Sequence, residues 1–269
     1  FIVATYVVCG YNKIIKTNSL LLSNNGPMRF FCNGVLDLIY DLEDLKIEME
    51  GLGEKAYRAT QVFEWLYVEK VSSFDEMTNL SLGLREKLKE NYRLCNYNII
   101  KKQESSDGTK KYLFDVLDGN AIETVLMKYH HGYSICVSCQ IGCKMGCKFC
   151  MTGRQGFSGN LQVNEIISQF MGIDEAEQLT NAVFMGMGEP LDNYENVMRA
   201  IEILTADWGF AWSPKRITLS TIGVIPNLKR YLDECKCHLA VSLHNPFGPE
   251  RLSVMPVQGA WPIQEVIDL

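Results

Sequence analysis

Cys143, Cys147 and Cys150 stand at a C-x3-C-x2-C spacing inside the run CVSCQIGCKMGCKFCMTGRQGF. Cysteine thiolates are the usual holders of iron–sulfur clusters. Three thiolates rather than four leave one iron of a four-iron cluster open, and an open iron takes a substrate that a closed site excludes. Gly142 and Gly146 beside the ligands let one short loop wrap three corners of a cube. The competing arrangement is a zinc ribbon, with Cys136-x2-Cys139 and Cys147-x2-Cys150 as paired knuckles. The gap between those pairs is short for a ribbon, and that arrangement leaves Cys143 without a role.

Downstream, Gly186-Met-Gly188-Glu189-Pro190 follows directly on a predicted strand. Glycines there let the backbone approach a ligand closely, and the carboxylate accepts hydrogen bonds from an amine. Alone, such a run reads first as a tight turn; one strand after the cysteine loop, it favours a ligand. Ser220-Thr221-Ile-Gly223 and Ser242-Leu243-His244 close two later predicted strands. All these segments therefore fall at the C-terminal ends of parallel strands, where such sheets bind ligands. His244 in isolation would be an ordinary packed or surface histidine.

The elements that position these residues come in three blocks. Residues 35–96 read helical: Ala59, Val62, Phe63 and Leu66 recur on one face of 56–70, and Asn79-Leu-Ser81 opens a further helix. Residues 97–133 carry strand signals with Asp107-Gly108 and Asp118-Gly119 between apolar runs, an antiparallel meander. From 134 the pattern alternates. Strands are predicted at 134–137, 181–185, 216–220 and 238–243, with helices at 163–173, 194–206 and 225–234. That alternation predicts parallel βαβ units, four strands in all.

Composition sets outer bounds. The chain has 269 residues, 47% hydrophobic and 22% charged, which suits a globular protein. Half of its 10 cysteines lie between Cys136 and Cys150, so no disulfide framework of a secreted protein is laid out. Phe1 to Val8 lacks a basic flank and is too short to span a bilayer, so a cytoplasmic protein without membrane attachment is expected. The net charge of −6 gives no basic footprint for nucleic acid. The local clusters Lys101-Lys102, Lys110-Lys111, Lys144 to Arg154 and Lys215-Arg216 read as solvated faces. Any role on RNA needs another argument.

That argument is a resemblance. Cys143-x3-Cys147-x2-Cys150 is similar to the radical S-adenosylmethionine signature. The wider run from Cys136 to Cys143, with Gln155-Gly-Phe157, Asn160-Leu161, Gly186 to Pro190 and Ser242-Leu-His244, resembles the dual-specificity RNA adenine C2-methyltransferases, as does the helical Gly53 to Trp65 stretch. The resemblance spans about residues 35–269. It implies an α/β fold: a partial (β/α)6-type barrel over 134–269, ending after about four strands, preceded by the meander at 97–133 and a helical accessory domain at 35–96. It also implies a [4Fe-4S] cluster on Cys143, Cys147 and Cys150, and S-adenosylmethionine lined by Gly188, Glu189, Ser220, Ser242, Leu243 and His244. Glu123 matches the family's proton acceptor and Cys136 a thiol that assists product release. The implied reaction methylates C2 of adenine in 23S ribosomal RNA and in tRNA through a methyl-cysteine. An electron donor such as flavodoxin or ferredoxin is expected, acting on a monomer. The sister activity at adenine C8, of the antibiotic-resistance type, and a zinc-bound, non-catalytic RNA-binding module are the alternatives.

The sequence departs from that pattern in places. The family's methyl-carrying cysteine follows the barrel, and here no cysteine occurs after Cys237. Cys235 and Cys237 precede the fourth strand, and Cys139 stands where serine is more usual. The expectation is a chain that stops in mid-domain at Leu269 and cannot complete methylation, with 1–34 an extension whose first 27 residues precede a normal start at Met28.

Overall fold

The computed structural model describes residues 36–37, 42–69, 71, 73–94, 99–116, 119–130 and 132–269. The expected extension at 1–34 lies outside the described residues. Among the described residues two units form, one within 99–198 and 213–269, the other within 36–94 and 199–212.

In the second unit, β1 (Leu36–Asp37) and β2 (Tyr92–Arg93) pair in parallel. Between them run α1 (Leu42–Gly51), α2 (Tyr57–Phe63) and α3 (Leu82–Asn91). Ser81 caps α3, its hydroxyl accepting from Leu84 N at 3.2 Å. The apolar stripe read from the sequence is buried: Ala59, Val62, Phe63 and Leu66. The Phe63 ring stacks on Tyr67 at 5.0 Å and meets Trp208 edge-on at 4.9 Å. The single helix expected over 56–70 is α2 followed by a π-helical turn at Glu64–Val68, where Glu69 N donates to Glu64 O.

In the first unit, one seven-stranded sheet has the order β11-β10-β9-β6-β5-β4-β3. The meander strands are β3 (Ile99–Glu104), β4 (Lys110–Val116) and β5 (Asn120–Tyr129), mutually antiparallel. β5 then pairs antiparallel with β6 (Gly132–Cys136), with Val125 opposite Cys136. The meander and the parallel strands thus share one continuous sheet.

Two short strands, β7 (Gln140–Gly142) and β8 (Phe157–Asn160), form a separate hairpin around α4 (Met151–Gln155). α5 (Val163–Met171) carries a capping box between Gln162 and Glu165, and residues 163–170 are all buried. Then come β9 (Leu179–Phe184), α6 (Tyr194–Thr205), β10 (Ile217–Thr221), α7 (Ile225–Glu234) and β11 (His238–Val241). β6, β9, β10 and β11 are parallel, as the alternation predicted. Two last helices, α8 (Gly248–Val254) and α9 (Ile263–Ile267), follow. The fold is mixed α/β with four parallel strands of a partial barrel, and β11 forms one edge of the sheet. Among the described residues no helix is long and apolar enough to cross a membrane.

Candidate active site

The cysteine loop is held as a closed unit. The hairpin β7–β8 brings its two ends together, and Cys143 N donates to Gly156 O at 2.8 Å. Gly142 has φ +79°, and a Cβ there would lie 1.9 Å from Gly156 O, so only glycine fits. Inside the loop, Cys150 N donates to Cys147 O at 3.1 Å, and the Arg154 guanidinium closes on Lys148 O at 2.7 and 3.0 Å. Lys148 N reaches out to Val254 O on α8 at 2.9 Å.

Beyond the C-terminal ends of the parallel strands lies a cavity of about 650 Å³, within the usual range for small-molecule sites. Cys143, Cys147 and Cys150 line it, with Cys136 at the end of β6. Gly188 and Glu189 line it from the turn after β9, Ser220 from β10, and Ser242 and His244 from the segment after β11. Glu123 joins from β5, with Val125 and Met127 at the same alternation. Of the residues to which the resemblance gives a cluster, cofactor or catalytic role, Leu243 alone is not on the wall; its carbonyl accepts from Arg251 Nε at 3.2 Å instead. No group of three or more His, Cys, Asp or Glu side chains is gathered at metal-binding geometry among the described residues.

Burial sets the electrostatics of the wall. The Cys143 thiol is pushed up to about 12 and Cys147 to about 11, in both cases chiefly by desolvation. Cys136 is likewise pushed up to about 12 by burial. Glu189 is buried, and desolvation lifts its carboxyl to about 7 against hydrogen bonds that favour the anion. Those bonds come from Thr221 Oγ1 at 2.6 Å, Ile222 N at 3.0 Å and Leu191 N at 3.1 Å. Burial first, and then the charge of Arg251, lower the His244 imidazole. His244 also takes a left-handed φ of 53°, rare outside glycine, with its ring 4.4 Å from that of Phe149.

The glycines after β9 also permit a close approach within the protein. A Cβ on Gly186 would lie 2.7 Å from Ser138 Oγ and the Val137 carbonyl, and one on Gly188 would lie 2.6 Å from Gln140 Cβ. They let this turn close on the segment leading into the cysteine loop. Gln140 fastens the two: its Oε1 accepts from Glu189 N at 2.9 Å, and its Nε2 donates to Asn160 at 2.8 Å and Asp192 at 2.6 Å. Asp192 also pairs with Lys144 in the loop at 2.9 Å. Gln169, fully buried, grips Ser138 through its backbone N and O, both at 2.8 Å. Lys111 pairs with Glu123 Oε1 at 2.9 Å. Sequence reading missed these polar supports. Gln140 sits within the cysteine run, but nothing in its spacing signals a buried amide.

Comparison with known proteins agrees with this arrangement. Residues 36–94 match the family model described as the ribosomal RNA large subunit methyltransferase N-terminal domain, and residues 137–246 match that of the radical SAM superfamily. A probable dual-specificity RNA methyltransferase RlmN of Parabacteroides distasonis is 50% identical over 228 residues, covering 85% of this chain and 66% of that protein. The protein of the same name in Porphyromonas gingivalis (strain ATCC BAA-308 / W83) is 51% identical over 84% of this chain and 66% of its own length. The chain thus spans just under two thirds of these curated relatives. The crystal structure of a radical SAM methyltransferase from Sphaerobacter thermophilus superposes with a TM-score of 0.80 at 39% identity, covering 85% of this chain and 69% of that one.

Proposed function

Since this chain belongs to the RlmN family of radical S-adenosylmethionine methyltransferases, we propose that it binds a [4Fe-4S] cluster and S-adenosylmethionine to serve methylation of adenine C2 in 23S ribosomal RNA and tRNA. The observation that carries this reading is the sharing of one cavity wall by three loop thiols and a buried carboxylate, past the ends of parallel strands. When bound, the cluster and cofactor supply one-electron reductive chemistry, which suits adenine C2 because that carbon is electron-poor and a poor nucleophile.

The residues present fit both groups. Cys143, Cys147 and Cys150 would hold the cluster. Their loop is closed by its own backbone hydrogen bonds, and burial of Cys143 and Cys147 disfavours free thiolates, so a cation is needed to draw them out. Glu189 would accept hydrogen bonds from the cofactor's ammonium, its carboxylate already aimed by Thr221, Ile222 and Leu191. Gly188, Ser220, Ser242 and His244 would line the rest of the cofactor. Leu243 would contribute through its backbone position between Ser242 and His244. Glu123, oriented by Lys111, would accept the proton leaving the substrate carbon. Cys136, a neutral thiol at physiological pH, would serve product release.

The methyl-carrying cysteine implied by the family pattern has no counterpart after Cys237 in this sequence. The residues described here would serve cofactor binding and its reductive cleavage. A flavodoxin or ferredoxin would deliver the electron. The test is anaerobic reconstitution with iron and sulfide, then reduction with S-adenosylmethionine present. Formation of 5′-deoxyadenosine is expected; a colourless protein that takes up zinc on four thiolates overturns the reading.

A further inference from the structure

Arg251 is the largest fully buried side chain among the described residues. It sits on α8, and every nitrogen of its guanidinium donates. Nε reaches Leu243 O at 3.2 Å, Nη1 reaches Gln258 Oε1 at 2.7 Å, and Nη2 reaches Ile222 O at 3.0 Å and Ser242 O at 3.2 Å. All of these partners are neutral. Among the described residues no carboxylate pairs with Arg251. Arginine stays protonated in proteins, so a full positive charge is buried here without a counter-ion. Such burial is strongly unfavourable unless an anion is supplied.

The element that carries this charge abuts the cysteine loop. Lys148, between Cys147 and Cys150, donates its N–H to Val254 O, the last residue of α8, at 2.9 Å. Met255, next in the chain, lines the cavity. Arg251 itself is not on the cavity wall. The loop's other cations are placed differently. Lys144, Lys148 and Arg154 are exposed, and Lys144 is paired with Asp192. Solvent and salt screen those charges far more than one sealed in the interior.

We propose that Arg251 is the built-in counter-charge of the anionic cluster on Cys143, Cys147 and Cys150, and that it raises that cluster's reduction potential. This rests on the function proposed above. Net charge and solvent exposure are among the factors that set such potentials. Reduction adds one more negative charge, and a fixed cation in a low-dielectric interior stabilises the reduced form more than the oxidised one. Arg251 acts through its field and is a tuning residue rather than a catalytic one.

The experiment is a mediated redox titration of the anaerobically reconstituted 269-residue chain with dithionite, read by electron paramagnetic resonance, after iron and sulfide have been assayed. In Arg251→Gln, the ratio of reduced to oxidised cluster at the wild-type midpoint is expected to fall about tenfold, equivalent to about 59 mV for one electron. Arg251→Lys keeps the charge and is expected to stay close to wild type. Should Arg251→Gln not fold, Gln258→Glu keeps the guanidinium in place while neutralising it, and the ratio is expected to fall in the same direction. An unchanged ratio in whichever neutralised variant folds, or an equal fall in Arg251→Lys and Arg251→Gln, overturns the proposal. A wild-type chain that assembles no iron and sulfide overturns the functional reading beneath it, and that outcome is seen before any titration begins.

Discussion

Replacing Glu189 by Gln removes one buried charge and almost no volume. The carboxyl stands near 7 in the folded chain against an ordinary value of 4.5, a difference worth roughly 3 kcal/mol. The folded state holds this proton more tightly than the unfolded state does. Its contribution to stability is therefore complete below about pH 4.5 and is lost as pH rises through about 7. The wild-type chain should lose about 3 kcal/mol from this group across that window. The Glu189→Gln variant has no such slope. Its new side chain keeps one acceptor oxygen but turns an amide towards at least one of the donors Thr221 Oγ1, Ile222 N and Leu191 N, at a cost of about 1–3 kcal/mol. The two proteins should thus be of similar stability near pH 8, with the variant less stable near pH 5. Urea unfolding of the metal-free chain under anaerobic, reducing conditions at several pH values measures the difference. The same proton competes with a cationic ligand: affinity for S-adenosylmethionine should be about tenfold weaker one unit below the Glu189 value and level above it. A stability difference between wild type and Glu189→Gln that does not change with pH would show that Glu189 is not the buried, proton-holding group described.

Two substitutions test the fastening of the cysteine loop to the turn after β9. Gln140→Ala strands the buried Glu189 N–H and frees Asp192 and Asn160, and should cost about 3 kcal/mol in urea unfolding; a loss under about 1 kcal/mol would show the amide to be dispensable. Gly188→Ala places a Cβ 2.6 Å from Gln140 Cβ at a φ of +103°, and should destabilise by roughly 2–4 kcal/mol. If Gly188→Ala were neutral, the close approach of these two segments would be wrong.

Much of this architecture could be read from residue order. α7 begins and ends at the residues expected, because Pro226 fits the first turn of a helix and the apolar positions stop with it. The parallel strands lie within about two residues of their expected bounds, because each is a short apolar run between helices of clear period. Other features carry no such signal. β7 and β8 have three and four residues and are rich in glycine, too short for any alternation to show. The π-helical turn at Glu64–Val68 does not alter the apolar spacing that suggests one straight helix. Cysteine spacing drew attention to the loop, yet what shapes that loop is a buried amide at Gln140 and a glycine at Gly142 that no spacing rule selects. No sequence pattern marks Arg251, because arginine ordinarily lies at the surface; only the folded chain shows it sealed beneath strand-end carbonyls.

Reductive cleavage of S-adenosylmethionine by the anaerobically reconstituted chain, measured with Cys143→Ala, Cys147→Ala and Cys150→Ala side by side, decides whether these thiols hold a working cluster. About four iron and four sulfide per chain and formation of 5′-deoxyadenosine are expected for wild type, with product absent from all three variants. Product formed at the wild-type rate by any one of those variants would contradict the assignment of Cys143, Cys147 and Cys150 as the cluster's ligands.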